Sequence, residues 1–174
     1  NKKNILVPLS HIRDASQELV SKIKILSKDL LNTKYLFIIK PHPNLRSAKT
    51  LKLLGLKNLP KNIIVSNEDI DKLSNECFFT IFMSTGAAYN AIINGNIIFN
   101  LRSELNLNDN YLDIFEEDFP AVVSCSLTSI KKNLIDFIDD ESKINQYIDE
   151  FKRLREYLVK GMNVVTDESL RKLI

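Results

Sequence analysis

Residues 78–91, FFTIFMSTGAAYNA, decide the fold because they pass from an apolar run directly into a helix start. The run 78–83 is almost continuously apolar, as expected for a strand of a parallel sheet that is covered on both faces. Ser84, Thr85 and Gly86 interrupt this run, and small residues that favour a helix follow them. The stretch therefore predicts one β-α unit: a strand, a tight turn and a helix.

Short apolar runs alternate with longer segments of helical period along the whole chain. The predicted strands are 5–8, 35–40, 63–66, 78–83, 97–101 and a weaker 121–124. Repeated β-α units of this kind indicate an α/β fold with a Rossmann-like parallel sheet of about six strands. We expect the strand order 3-2-1-4-5-6, with helices on both faces of the sheet.

The helical segments lie between and after these strands. The first begins at a cap formed by Asp14 or Ser16, and Gly95 ends the helix 86–93. The other predicted helices are 46–54, 70–75, 127–138 and 142–159, with a short one from Asp167 that makes the region 142–174 helical. Residues 106–118 are polar and predict a surface loop. No linker divides the chain, so residues 1–174 are expected to form a single domain.

Composition excludes several classes of protein. With 44% hydrophobic and 26% charged residues the chain is a folded globule, and no apolar run approaches the length of a membrane span. Cys77 and Cys125 suit a reducing cytoplasm and cannot form a disulfide framework, and no CxxC motif or His/Cys cluster suggests zinc. A net charge of +2 does not favour nucleic acid.

The distribution of charge is more informative than its sum. Residues 40–61 carry seven basic or histidine side chains and no Asp or Glu. These are Lys40, His42, Arg46, Lys49, Lys52, Lys57 and Lys61. The run predicts a cationic patch for a small, multiply charged anion, although a solvated basic surface would have the same pattern.

Two loops that follow predicted strands have the chemistry of phosphate binding. His42 lies between Pro41 and Pro43, so its backbone is restrained, and its imidazole could donate to a phosphate oxygen or simply cap the turn. At the other loop, Ser84, Thr85 and Gly86 would offer hydroxyls and free N–H groups to an anion, or an ordinary helix cap.

Together, KPHP at residues 40–43 and STG at residues 84–86 resemble the donor-binding, C-terminal half of GT-B glycosyltransferases. The likeness is to bacterial surface-carbohydrate enzymes of the sialyltransferase, polysialyltransferase and Kdo-transferase kind, and it runs from about residue 5 to residue 138. It implies that an HP motif and a serine motif hold the nucleotide phosphates. It also implies that His42 stabilises the leaving phosphate, with Lys40 beside it. The family's helix glutamate is Asn90 here, which leaves a ribose or base contact without charge.

The resemblance carries further expectations. The donor would be a nucleotide-sugar, with a CMP-activated acidic sugar as first choice, and no metal would be needed. An N-terminal acceptor-binding domain and the catalytic base would lie outside this sequence, making it a fragment of a two-domain enzyme. Peripheral association of the full protein with the inner membrane is compatible with this assignment.

Four more residues are candidates from their positions after strands. Ser10, His11 and Arg13 follow the first strand, where Arg13 could pair with a pyrophosphate or only with Asp14. Glu68 follows the third strand and could contact the ribose or base, or belong to a helix cap.

Three other functions remain open. A UDP-sugar 2-epimerase and a polyol-phosphate transferase share this architecture, and a non-catalytic nucleotide-binding module is compatible with Asn90.

Overall fold

A computed structural model describes residues 3–105, 112–140 and 142–163. These residues form a parallel sheet of five strands in the order β3-β2-β1-β4-β5. The strands are β1 (Lys3–Pro8), β2 (Tyr35–Lys40), β3 (Ile63–Val65), β4 (Phe79–Phe82) and β5 (Ile97–Asn100). The α/β class and the order of the first five strands are therefore as the sequence predicts.

Six helices accompany the strands in the described part of the chain. They are α1 (Arg13–Asp29), α2 (Ala48–Leu53), α3 (Ile70–Glu76), α4 (Ala87–Ile93), α5 (Leu127–Asp139) and α6 (Ser142–Asn163). Three short 3-10 helices join them, at Pro43–Leu45, Asp113–Phe115 and Pro120–Val122.

Helices cover both faces of the sheet, because adjacent strand residues point to opposite sides. On one face Phe79 stacks on Phe137 of α5 with ring centroids 5.8 Å apart, and Tyr35 donates its hydroxyl to the Leu134 carbonyl. On the other face Leu6 and Ile38 form a cluster with Leu73 of α3. Both faces are thus apolar, which explains why the strand sequences show little alternation.

The register brings the carboxyl ends of the central strands to one edge. Pro8 at the end of β1 lies opposite Lys40 at the end of β2, while β4 pairs with the other side of β1. The strand order reverses between β1 and β4, and loops at such a switch point form the usual ligand crevice of open α/β sheets.

The weaker sixth strand, predicted at 121–124, does not form. Pro120 lacks an N–H and starts the 3-10 helix Pro120–Val122, which buries Val122 instead of extending it. The chain returns to the sheet only at Cys125, which makes a single parallel bridge to Leu101. The place of a sixth strand, beside β5, is therefore taken by Cys125 alone.

The capping prediction is wrong for the start of α1 and correct for the end of α4. The cap of α1 was predicted wrongly: Ile12 is the N-cap residue, and Ser16 instead donates its hydroxyl to the Ser10 carbonyl at 2.8 Å. The end of α4 is confirmed, since Gly95 has φ +87°. The Gly95 N–H donates to Ile92 and the Asn96 N–H donates to Ala91, which is a Schellman motif.

Some predictions for the second half lie outside the described residues, namely the helix from Asp167 and residues 106–111 of the surface loop. Within the rest of that loop Leu112 is fully buried, so this part packs against the core. Among the described residues, no helix combines the length and apolar character needed to cross a membrane. Cys77 and Cys125 are both free thiols.

Candidate functional site

A cavity of about 590 Å³ opens at the carboxyl ends of β1, β2, β3 and β4. Each of the four loops after these strands contributes lining residues. The lining includes His11, Lys40, His42, Arg46, Asn67, Asp69, Ser84, Thr85 and Gly86. The loops that the sequence places at the switch point therefore meet around one space.

The loop after β2 holds His42 at two points. The imidazole Nδ1 accepts from the Asn44 N–H at 3.2 Å, and the His42 carbonyl accepts from the Leu45 N–H at 2.8 Å. Leu45 is buried and anchors the short 3-10 helix that follows. Because Nδ1 is an acceptor, Nε2 carries the hydrogen in the neutral ring and is the atom left to donate to a ligand.

Burial and two neighbouring side chains determine the charge state of His42. Burial lowers the pKa of His42 below its usual value, and the nearby His11 and Arg46 lower it further. The His11 and His42 ring centroids are 6.0 Å apart. His42 is thus mainly neutral near neutral pH, and it acts there as a hydrogen-bond donor more than as a cation.

Lys40 is a buried cation at the end of β2. Its side chain is only 7% exposed, and Nζ donates to the Asn67 carbonyl at 3.2 Å. Burial lowers the pKa of Lys40, Arg46 lowers it further, and Asp69 acts in the opposite direction. A buried ammonium with one carbonyl partner would interact favourably with an anion in the cavity, since burial weakens screening by water.

The loop after β4 has a strained residue at its centre. Ser84 has φ +48°, in the left-handed region that residues with a Cβ rarely adopt, and it is 3% exposed. Such strain persists where the surrounding structure fixes it, often at ligand sites. The next hydroxyl, on Thr85, accepts from the Ala87 N–H at 3.4 Å.

Gly86 provides open space at the same loop. Its φ is −65°, and a Cβ added there would meet no atom within 4 Å. The fold therefore does not require glycine at this position. A ligand that approaches the backbone closely would require it, so Gly86 is a sensitive test of the site.

Two candidates after β1 do not line the cavity. The Ser10 hydroxyl is buried and accepts from the Ile12 N–H at 3.1 Å, which makes it part of the turn into α1. The Arg13 guanidinium is 60% exposed and lies 3.6 Å from Asp14. Arg13 thus has the local alternative role considered above, while Ser10 belongs to the turn into α1, which the sequence did not indicate.

Glu68 and Asn90 also lie outside the cavity lining. Glu68 forms an exposed ion pair with Lys72 at 2.7 Å, one turn along the chain. The Asn90 amide donates to Asp71 Oδ1 at 3.0 Å, which joins α4 to α3. Their roles in ribose or base binding stay predictions.

The basic run 40–61 divides into two groups. Lys40, His42 and Arg46 line the cavity, as a phosphate site would require. The remaining four lysines do not line it, and they fit the solvated basic surface that the run also allowed.

Sequence reasoning missed Asn67 and Asp69. Asp69 is the N-cap of α3, where its Oδ1 accepts from the Asp71 N–H at 2.8 Å, and it also lines the cavity. The signal was present in the Ser66–Asn67–Glu68–Asp69 segment after the third strand, but only Glu68 of that segment was predicted as a ligand contact. A cap residue beside a strand end has two possible roles, and only the structure shows that Asp69 faces the cavity.

A second cavity of about 400 Å³ lies beside α1 and the segment after β5. Three of its charged side chains form ion pairs, since Lys22 Nζ is 2.8 Å from Glu18 and 3.1 Å from Glu104, while Arg102 donates to the Ser124 carbonyl at 3.3 Å. The Glu104 N–H also donates to Glu18 Oε1. These contacts fix the segment after β5 on α1.

No group of three or more His, Cys, Asp or Glu side chains in the described ranges is arranged to hold a metal ion. Metal independence nevertheless stays a prediction for the protein.

Comparisons with known proteins match this fold at low identity. No protein-family model matches the chain, and no curated protein matches its sequence. The structure is similar to UDP-GlcNAc 2-epimerase from Neisseria meningitidis bound to UDP-GlcNAc, with a TM-score of 0.60 and 16% identity over 92% of this chain. The glycosyltransferase SnogD from Streptomyces nogalater matches 95% of the chain, with a TM-score of 0.55 and 16% identity. The wall teichoic acid polymerase TagF matches 98%, with a TM-score of 0.51 and 14% identity.

These likenesses concern architecture. The chain spans 45% of the epimerase, 44% of SnogD and 44% of TagF, which is less than half of each. None of these three structures is of the sialyltransferase or Kdo-transferase kind, so that narrower resemblance stays a prediction. The chain has the Rossmann-like α/β fold of one half of a GT-B protein.

Proposed function

We propose that this chain is the nucleotide-sugar-binding half of a GT-B glycosyltransferase in surface polysaccharide biosynthesis. One observation carries the proposal: Lys40, His42 and Arg46 share a cavity at the switch point with the hydroxyl residues Ser84 and Thr85. Cations and hydroxyl donors around one concave space suit a phosphate group that carries several negative charges. The matched folds include a protein bound to a nucleotide-sugar, which supports the same class of ligand.

In the proposed mechanism the phosphates lie between the His42 loop and the Ser84 loop. His42 donates from Nε2 to a phosphate oxygen, while Lys40 and Arg46 supply positive charge. Negative charge grows on this phosphate as the sugar departs, so donors that are already in place stabilise the transition state more than the bound donor. The acceptor and the catalytic base belong to a further domain, which we propose lies N-terminal to this one.

The proposed donor is a CMP-activated acidic sugar, since the pairing of an HP motif with a serine motif is prominent among such transferases. CMP, UMP and CDP-glycerol separate this donor from its alternatives. Preferential binding of CMP supports the proposal, whereas a preference for UMP points to UDP-linked donors. A preference for CDP-glycerol points to polyol-phosphate transfer.

The site is tested by His42→Asn, measured by calorimetric titration with CMP. Asparagine retains an acceptor for the Asn44 N–H, so the turn is preserved while the Nε2 donor is lost. We expect CMP affinity to fall about tenfold or more, the range for a hydrogen bond to a charged group. Lys61→Ala, in the same basic run but outside the cavity, is the matched control and should bind CMP normally. Normal CMP binding by His42→Asn would refute the assignment.

Three further parts of the proposal have simple tests. We propose that donor binding needs no metal, so EDTA should leave CMP affinity unchanged. We propose a cytoplasmic location, which fits two free thiols and is tested by fractionation.

Peripheral membrane association would use the outer face of α2, where Lys49, Lys52 and the half-exposed Leu53 lie within one turn. Charge reversal at Lys49 and Lys52 should then abolish binding to anionic vesicles.

A further inference from the structure

Lys40 is the one lysine among the described residues that line the switch-point cavity. It is buried, whereas the four other lysines of the basic run 40–61 are exposed and do not line the cavity. A reagent in solution therefore reaches those four amines directly. It reaches the Lys40 amine only by entering the cavity, which selects for molecules that the cavity binds.

The Lys40 amine is held in a way that favours its neutral, nucleophilic form. Nζ donates to the Asn67 carbonyl at 3.2 Å, and a carbonyl stabilises the positive charge less than a carboxylate does. Burial lowers the pKa of Lys40, Arg46 lowers it further, and Asp69 acts in the opposite direction. A lysine that is desolvated beside another cation is an activated nucleophile. The neutral amine keeps two N–H donors, so it can retain the Asn67 bond while its lone pair attacks an electrophile.

The same cavity has side chains that suit a phosphate group. Arg46, His11 and His42 line it together with Lys40, and a guanidinium binds phosphate through two parallel N–H groups. A small molecule that carries a phosphate beside an electrophilic carbon would be held with that carbon close to the amine. Such proximity accelerates a reaction relative to free solution. An acyl phosphate has both groups, because its carbonyl carbon is bonded directly to a phosphate oxygen.

We propose that Lys40 is a site of acylation by small acyl phosphates. The neutral Nζ attacks the carbonyl carbon, the bond from that carbon to the phosphate oxygen breaks, and an amide forms. The leaving inorganic phosphate takes up the proton that Nζ loses, so no further reactant is needed. Acylation removes the positive charge of Lys40 and would weaken anion binding in the cavity. It requires the phosphate-binding part of the proposed function, on which this inference rests, but it does not require a nucleotide.

The test is site-resolved mass spectrometry of the 174-residue chain during incubation with acetyl phosphate. The initial rate of acetylation at Lys40 is compared with the rates at Lys49, Lys52, Lys57 and Lys61, which are the exposed lysines of the same run. We expect Lys40 to react faster than each of them by about tenfold or more, because its amine is more often neutral and the reagent is held beside it. A rate at Lys40 equal to or below those of the exposed lysines would refute the proposal.

The matched reagent is p-nitrophenyl acetate, which transfers the same acetyl group but carries no phosphate. The preference for Lys40 over the exposed lysines should be several-fold smaller with this reagent. An equal preference with both reagents would assign the reactivity to the amine alone and would overturn the role of the phosphate.

Arg46→Ala tests the phosphate contact itself. The ratio of the two rates at Lys40, with acetyl phosphate and with p-nitrophenyl acetate, cancels any change in the reactivity of the amine. This ratio should fall several-fold in Arg46→Ala and stay at the wild-type value in Lys49→Ala, since of these two residues only Arg46 lines the cavity. An unchanged ratio in Arg46→Ala would contradict the proposed geometry.

Titration with CMP separates acylation from the proposed function. If CMP binds and slows acetylation of Lys40, both are supported. If CMP binds but Lys40 shows no preference for acetyl phosphate, acylation is refuted and the proposed function stands. If Lys40 shows the preference while CMP neither binds nor protects it, the acylation site stands and the nucleotide-binding function fails.

Discussion

The strained backbone at Ser84 predicts a difference between two substitutions that remove the same hydroxyl. Ser84→Ala keeps a Cβ at φ +48°, whereas Ser84→Gly removes it. A left-handed conformation costs about 1–2 kcal/mol for a residue with a Cβ. Glycine avoids this cost, but it destabilises the folded state by about 0.4–1 kcal/mol relative to alanine because it makes the unfolded chain more flexible. We therefore expect Ser84→Gly to be more stable than Ser84→Ala by about 0.8 kcal/mol, the difference between the midpoints of these two ranges.

Thermal unfolding of the two variants measures this difference. For a domain of this size about 1 kcal/mol corresponds to a Tm shift of about 2–4 °C, so the glycine variant should unfold about 1–4 °C higher. Comparing the variants with each other cancels the loss of the buried hydroxyl, which both share. Both should also bind CMP more weakly than wild type, by about tenfold or more, because neither can donate to a phosphate. Equal Tm values, or a more stable alanine variant, would show that the loop is not strained.

The remaining predictions concern charge, close approach and protonation in the same cavity. Arg46→Ala should weaken CMP binding by several-fold, whereas Lys49→Ala should not, because of these two residues only Arg46 lines the cavity. Equal effects of the two substitutions in calorimetric titration would mean that the whole basic run acts on the ligand at long range. Gly86→Ala should leave the Tm unchanged or raise it, because the Cβ of the alanine would meet no protein atom within 4 Å. The same substitution should lower the affinity for CMP. Unchanged affinity would exclude close approach of the ligand to the backbone at this residue. A bound phosphodiester should raise the lowered pKa of His42, so in wild type the affinity for a CMP-sugar should fall as the pH rises through the pKa of His42. An equal fall in His42→Asn would assign the effect elsewhere. Without ligand, the lowered pKa of His42 means that the unfolded chain takes up the proton at a higher pH than the folded chain does. The free energy of unfolding, measured by urea titration, should therefore fall as the pH drops below about 6.5, and this fall should be smaller in His42→Asn.

The strands were predictable because burial on both faces leaves a direct mark on the sequence. Residues 36–39 are apolar without interruption, and β2 lies in the interior of the sheet. The exception, 121–124, has the composition of a strand but follows Pro120, and the proline starts a 3-10 helix. Composition indicates burial, while a single missing N–H decided the local structure.

The loops around the cavity were predictable from chain position, whereas some of the side chains that face it were not. A strand end places a loop at the correct edge of the sheet, so the His42 and Ser84 loops could be located. Which neighbour points inward depends on the turn: Ser10 bonds to its own turn, and His11 lines the cavity. Asp69 was hidden by its second role as a helix cap.

The central claim is that a nucleotide binds at the switch-point cavity through the loops after β2 and β4. Amide chemical shifts during titration with CMP test it most directly, because each loop reports separately. The account predicts saturable shifts concentrated at residues 84–88 and 40–46, with little change around Lys22 and Glu104 in the second cavity. The absence of saturable shifts, or shifts centred on the second cavity, would contradict it.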